Sequence, residues 1–199
     1  MKTKTKALCL TLAAVVLVAA TFFGTMAYLT STTDTVNNTF TVGKVNITLD
    51  EAKVNDSGVT EDSSSRVTEN TYKLMPGHTY VKDPTVHFAA GSEASWLFVE
   101  VENSIADIEA SDNKIADQIV KNGWTALEGV TGVYYKEVGA NNGDVAVDYP
   151  VFNKFTIDGS VDGTKLESYA GKTVTVTAYA VQKDGFTDPN TAWTTGLGK

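Results

Sequence analysis

The chain has 199 residues, with 16 basic and 24 acidic side chains, two histidines and one cysteine, giving a net charge of −8. Such an acidic surface repels nucleic acid and anionic lipid headgroups, which excludes both as partners. The length suits one domain with a proper core.

Lys2, Lys4 and Lys6 form a basic start, Ala7 to Phe23 is apolar without a charge, and Gly24-Thr25-Met26-Ala27 supplies small residues. This is the pattern of a cleavable export signal over residues 1–27, cut between Ala27 and Tyr28. The apolar run is nearly the ~20 residues that span a bilayer, so an uncleaved membrane anchor is the competing reading. It is the only membrane contact expected. Cys9 lies inside the signal, too early for lipid attachment. Residues 28–199 then have no disulfide, no thiolate metal site and no cysteine nucleophile. Losing three lysines and no acids leaves 13 basic against 24 acidic residues, a net charge of −11. That favours cations or other proteins as partners.

Thr39–Leu49 alternates with one break. Phe40 and Val42 share one phase, Val45, Ile47 and Leu49 share the other, and Gly43 lies between them. A phase change at a glycine predicts a bulge or bend. Asp50–Thr71 is polar and reads as an exposed loop. Pro76-Gly77 marks a tight turn. Tyr80, Val86 and Phe88 give strand character on either side of Pro84, which predicts an edge strand or a broken one.

Ser95–Glu102 is a strong strand, with Leu97, Val99 and Val101 on one face and Trp96, Phe98, Glu100 and Glu102 on the other. Ile105, Ile108, Ile115 and Ile119 change to helical spacing, so one amphipathic helix or two short ones interrupt the strands, ending at Gly123. Trp124–Val138 reads as a hairpin, Ala140–Asp144 as a turn, and Val145–Ile157 as one or two strands interrupted at Pro150. Asp158–Gly163 is a further turn. In Lys172–Gln182, Val174, Val176, Ala178 and Ala180 face opposite to Thr173, Thr175, Thr177 and Tyr179. Residues 28–199 therefore form a single, mostly β domain of sandwich or barrel class with a short helical insertion.

Enzymatic signatures are missing. His78 and His87 cannot form an H-E-x-x-H zinc site, and no serine stands in a G-x-S-x-G elbow. Glu100 and Glu102 share a face, as chance pairs of acids often do. The Asp56, Asn141–Asp144 and Asp158–Gly163 turns lack the twelve-residue calcium loop pattern, and turn chemistry explains them. The reading is a non-enzyme with no cofactor and no metal site.

The junction Gly24–Thr30, the segment Asn38–Leu49, Leu74-Met75-Pro76-Gly77 and the strand Val174–Gln182 resemble the TasA/camelysin family of exported fibre subunits. Trp124 and Tyr134-Tyr135 also match family positions. The resemblance implies a jelly-roll-like antiparallel β-sandwich, processing by a SipW-type signal peptidase, and secretion into extracellular biofilm-matrix or cell-surface fibres. It further implies head-to-tail self-assembly, or assembly with related fibre subunits. In that assembly residues 28–42 act as a donor strand, with Phe40 and Val42 as anchors and Gly43 as the boundary. Some family members are labelled metallopeptidases, but this chain lacks the metal signature. A monomeric secreted protein- or carbohydrate-binding module is the alternative, and a secreted metallopeptidase a more remote one.

Overall fold

A computed structural model describes Thr3, Leu12, Ala13 and residues 43–199 apart from Glu61 and Ser63. Ala27, Tyr28, Phe40 and Val42 lie outside the described residues. Contacts divide the chain into Met1–Thr41 and Val42–Lys199, and every described strand belongs to the second unit.

The fold is mostly antiparallel β, a sandwich with a short helical insertion. One sheet has the order β2-β1-β4-β8, built from Arg66–Val67 (β2), Ile47–Ala52 (β1), Thr85–Phe88 (β4) and Val147–Pro150 (β8). The other has the order β10-β5-β7-β6, built from Val174–Gln182 (β10), Ser95–Asn103 (β5), Val133–Val138 (β7) and Thr125–Ala126 (β6). A ribbon of Thr79–Val81 (β3) and Lys154–Thr156 (β9) completes the strands.

The two-residue period of β5 sends its faces into different cores. Leu97, Val99 and Val101 join Val86 and Phe88 of the opposite sheet in the main core. Trp96 and Phe98 form a second core with Leu127, Val133, Ala192 and Trp193. The last two come from the π-turn Ala192–Gly196, which follows the short helix α3 (Pro189–Thr191). Asp188 caps α3 by accepting from Thr191 N at 2.9 Å. Glu100 and Glu102 occupy the solvated end of β5, and Glu100 accepts from Tyr179 Oη at 3.0 Å.

Pro84 breaks one strand into two that join different partners: β3 pairs with β9, and β4 lies between β1 and β8. Pro76-Gly77 forms the expected turn, with Gly77 at φ 70° and His78 N donating to Met75 O. Thr125–Ala126 and Val133–Val138 form the expected hairpin.

The isoleucine pattern yields a shorter helix than its span suggests. Only Ile115–Lys121 (α1) is helical, and Gly123 follows it at φ 80°. Upstream, Glu109 bridges Ile157 and Ala110 N donates to Thr156 O, so the backbone is taken up by the edge of β9. Ile108, Ile115 and Ile119 still reach the main core. Lys114 gives α1 no side-chain cap; the buried Glu109 instead accepts from Ile115 N at 3.3 Å. This serves a first-turn donor that lacks an intrahelical partner.

Asp50–Thr71 is only in part the exposed loop its composition suggests: residues 55–57, Asp62, Ser64, Thr68 and Glu69 are exposed, but two stretches are strand. β1 continues through Ala52, β2 pairs with it, and Glu51, Ala52 and Val54 are buried. The charges on the two strands are paired: Glu51 with Lys82, and Arg66 with both Asp50 and Asp83. Paired charges tolerate burial that unpaired ones do not.

Candidate strand-accepting edge and cleft

Among the described residues each four-stranded sheet has two edges, and three of these four are blunt. β2 and β6 have two residues each, and β8 is four residues long and ends in Pro150. Short strands and proline are standard guards against unwanted pairing. The fourth edge, β10, has nine residues, VTVTAYAVQ, with no proline and no charge.

The register fixes which backbone groups of β10 are free. Ser104 N donates to Thr173 O, and Lys183 N donates to Ala94 O. Both pairs lie in phase with the β5 ladder. Alternate residues of an antiparallel strand bond to opposite sides. The odd-numbered residues therefore bond β5. The N–H and C=O groups of Val174, Val176, Ala178 and Ala180 point outward, and no described residue bonds them. The side chains of these same residues pack on the main core.

β1 adds a matching stretch. Asn46 bonds the β4 side through Ala89 N, and Lys53 bonds the β2 side through Ser65 O. β2 reaches only Glu51 and Ala52. The outward backbone groups of Ile47 and Leu49 therefore meet no described partner. β1 and β10 are neighbours across the side of the sandwich.

At one end the two strands part to form a cleft of about 1060 Å³. Its lining includes Leu49, Glu51, Tyr72, Phe155, Leu166 and Val174. The helix α2 (Gly163–Glu167) closes one end, capped by Asp162, which accepts from Lys165 N. The opposite side of the sandwich is shut: Trp124 Nε1 donates to Pro150 O and Asn122 Nδ2 to Val151 O.

One cleft wall is polar and buried. Glu51, about 5% exposed, accepts from Lys82 Nζ at 2.7 Å and from Asn70 Nδ2 at 2.9 Å. Val54 N donates to Asn70 Oδ1 at 3.0 Å. Tyr72 sits on the same wall and donates to Val81 O. Burial, reinforced by the Glu51 charge, pushes its phenol well above the ordinary range.

Gly43 is exposed and has no positive φ, and among the described residues no strand begins before Ile47. A Cβ placed on Gly43 would lie 3.0 Å from Glu93 Cγ, on an exposed side chain free to move aside. Val45, Ile47 and Leu49, the second phase, all pack on the main core of their own chain. The turns singled out in the sequence are occupied by their own side chains. Asp158 accepts from Ser160, and Asn141 donates to Phe88 O and Val145 O. No group of three metal-ligating side chains occurs among the described residues.

The sequence reading passed over Glu51, Asn70 and Lys82. One signal was present: Glu51 continues the phase of Val45, Ile47 and Leu49 and so belongs to the inward face. No protein-family profile, curated protein or solved structure matches this chain.

Proposed function

We propose that this protein is a secreted, non-enzymatic structural subunit of extracellular fibres of the TasA/camelysin kind, assembled by strand addition. The observation that carries this reading is the β10 edge, a long uncharged strand with a row of backbone groups that no described residue bonds, beside a cleft lined by both apolar and polar side chains. An incoming strand gains backbone hydrogen bonds along such an edge, and alternate side chains set its register. The donor is residues 28–42 of another subunit, released by cleavage between Ala27 and Tyr28. Phe40 and Val42 enter the cleft, and Gly43 ends the donated part. The contact is head-to-tail and therefore propagates.

The test is electron microscopy of the purified secreted protein. Filaments that disappear when Tyr28–Val42 is deleted support the reading. A protein that stays monomeric with or without that segment overturns it. The alternative, a monomeric binding module, draws on Tyr72, Phe155 and Tyr169 lining the cleft. It predicts saturable binding of a peptide or glycan to that monomer.

A further inference from the structure

The wall formed by Glu51, Asn70 and Lys82 brings together a nucleophile, an electrophile and a proton carrier. Lys82 Nζ and Asn70 Nδ2 hydrogen-bond to the two different oxygens of one carboxylate, Oε2 and Oε1 of Glu51. One carboxylate thus anchors both the amine and the amide. The Lys82 and Glu51 side chains are 12% and 6% exposed. A backbone N–H, from Val54, already points at the amide oxygen of Asn70. A donor fixed at that oxygen stabilises the charge that develops there during acyl transfer. A chain whose only cysteine is Cys9 cannot staple this domain with a disulfide.

We propose that Lys82 and Asn70 join spontaneously in an intramolecular isopeptide bond, with Glu51 carrying the protons. Glu51 takes a proton from the Lys82 ammonium. The Nζ lone pair then forms a bond to Asn70 Cγ, and the carbonyl π pair moves onto Oδ1, where Val54 N–H meets it. Collapse of this intermediate breaks the Cγ–Nδ2 bond. The two protons lost from Nζ, relayed through Glu51, end on the departing nitrogen, which leaves as ammonium. Glu51 returns to a carboxylate, and no oxidant, reductant or further reactant is consumed. Proximity and exclusion of water supply the acceleration. The bond ties the segment after β2 to the link between β3 and β4, and so fixes one wall of the cleft. It does not depend on fibre assembly.

Tryptic digestion followed by tandem mass spectrometry of the full purified protein tests this. The expected product is Val67–Lys73 joined to Leu74–Lys114, lighter than the two peptides together by one ammonia, because an acylated Lys82 resists trypsin. Quantitative recovery of free Leu74–Lys82, with the Asn70 amide intact, overturns the proposal. Lys82→Arg keeps the charge and removes the nucleophile, so the cross-link should vanish and Asn70 should retain its ammonia. Loss of ammonia that persists in Lys82→Arg marks a cyclic imide formed by Asn70 alone, and overturns it. Glu51→Gln should leave lysine and amide unjoined in a folded protein. A Glu51→Gln protein cross-linked as fully as the wild type removes Glu51 from the mechanism.

Discussion

His87 on β4 and Asp148 on β8 meet directly across the ladder, with Nδ1 2.6 Å from Oδ1. The other ring nitrogen, Nε2, lies 2.9 Å from Asp50 Oδ1 on β1. A neutral imidazole has only one N–H, so donation to both carboxylates requires the charged form. Burial works against that charge, but the hydrogen bonds to Asp50 and Asp148 outweigh it and lift His87 above the ordinary imidazole value. Burial likewise opposes ionisation of Asp50, yet His87 and Arg66 hold it below the usual carboxylate value.

The sign of the resulting pH dependence follows. The contribution of His87 is complete below its unfolded value of about 6.5 and is lost as pH rises through its higher folded value. The contribution of Asp50 is complete above about 3.9 and is lost as pH falls through its depressed folded value. Thermal unfolding from about pH 5 to about pH 9 should show the wild type losing its advantage over His87→Gln as pH rises. An imidazole NMR titration should place the His87 midpoint above the ordinary imidazole value. A midpoint at or below that value would remove the clasp.

A proline at an outward-facing position of β10 should block strand addition and spare the sheet. Ala178 has its N–H on the free side, so Ala178→Pro costs no bond to β5. The expected result is a folded monomer by circular dichroism and sedimentation velocity, under conditions where the wild type associates. Ala178→Pro association equal to that of the wild type would move the contact away from this edge.

Both faces of β5 carry stability. Leu97→Ala should cost about 2–5 kcal/mol and Phe98→Ala about 3–5 kcal/mol in denaturant unfolding, since both side chains are fully buried. A negligible loss for Phe98→Ala would mean that the second core, closed by Trp193, contributes nothing.

Two glycines with positive φ should respond differently to alanine. Gly129, at φ 78°, has nothing near its would-be Cβ, and Gly129→Ala should cost only the conformational strain of about 1–2 kcal/mol. Gly58, at φ 69°, would place a Cβ 2.6 Å from the Tyr80 ring, against a fully buried side chain. Gly58→Ala should therefore be the more destabilising, and equal losses would show that Tyr80 yields freely.

The strands that were legible in the sequence are those whose pattern is self-contained. β5 and β10 each show a clean two-residue period with unlike faces, and glycine punctuates the helical insertion at Gly123. The cleft was not legible because it depends on pairings between distant segments. Nothing local in Asp50–Thr71 reveals that Arg66 returns to Asp50 or that Lys82 covers Glu51. The free edge was half legible: the absence of charge in β10 can be read directly, but its position at the rim follows only from the sheet order. The helical period over-reached toward Ile105 because apolar spacing records which side chains face inward. It does not record that the edge of β9 has claimed the backbone.

The pairing of β5 with β10 also sets an order of events during synthesis. β5 is made long before β10, with the insertion, the hairpin and the β8–β9 region emerging in between. Throughout that interval β5 has its partner β7 at most on one side, and its other side is open. Closure of this sheet waits for a distant segment, which slows folding and prolongs exposure. A nascent chain thus has its open edge along β5 first and, once complete, along β10. The open edge migrates outward by one strand as the protein matures.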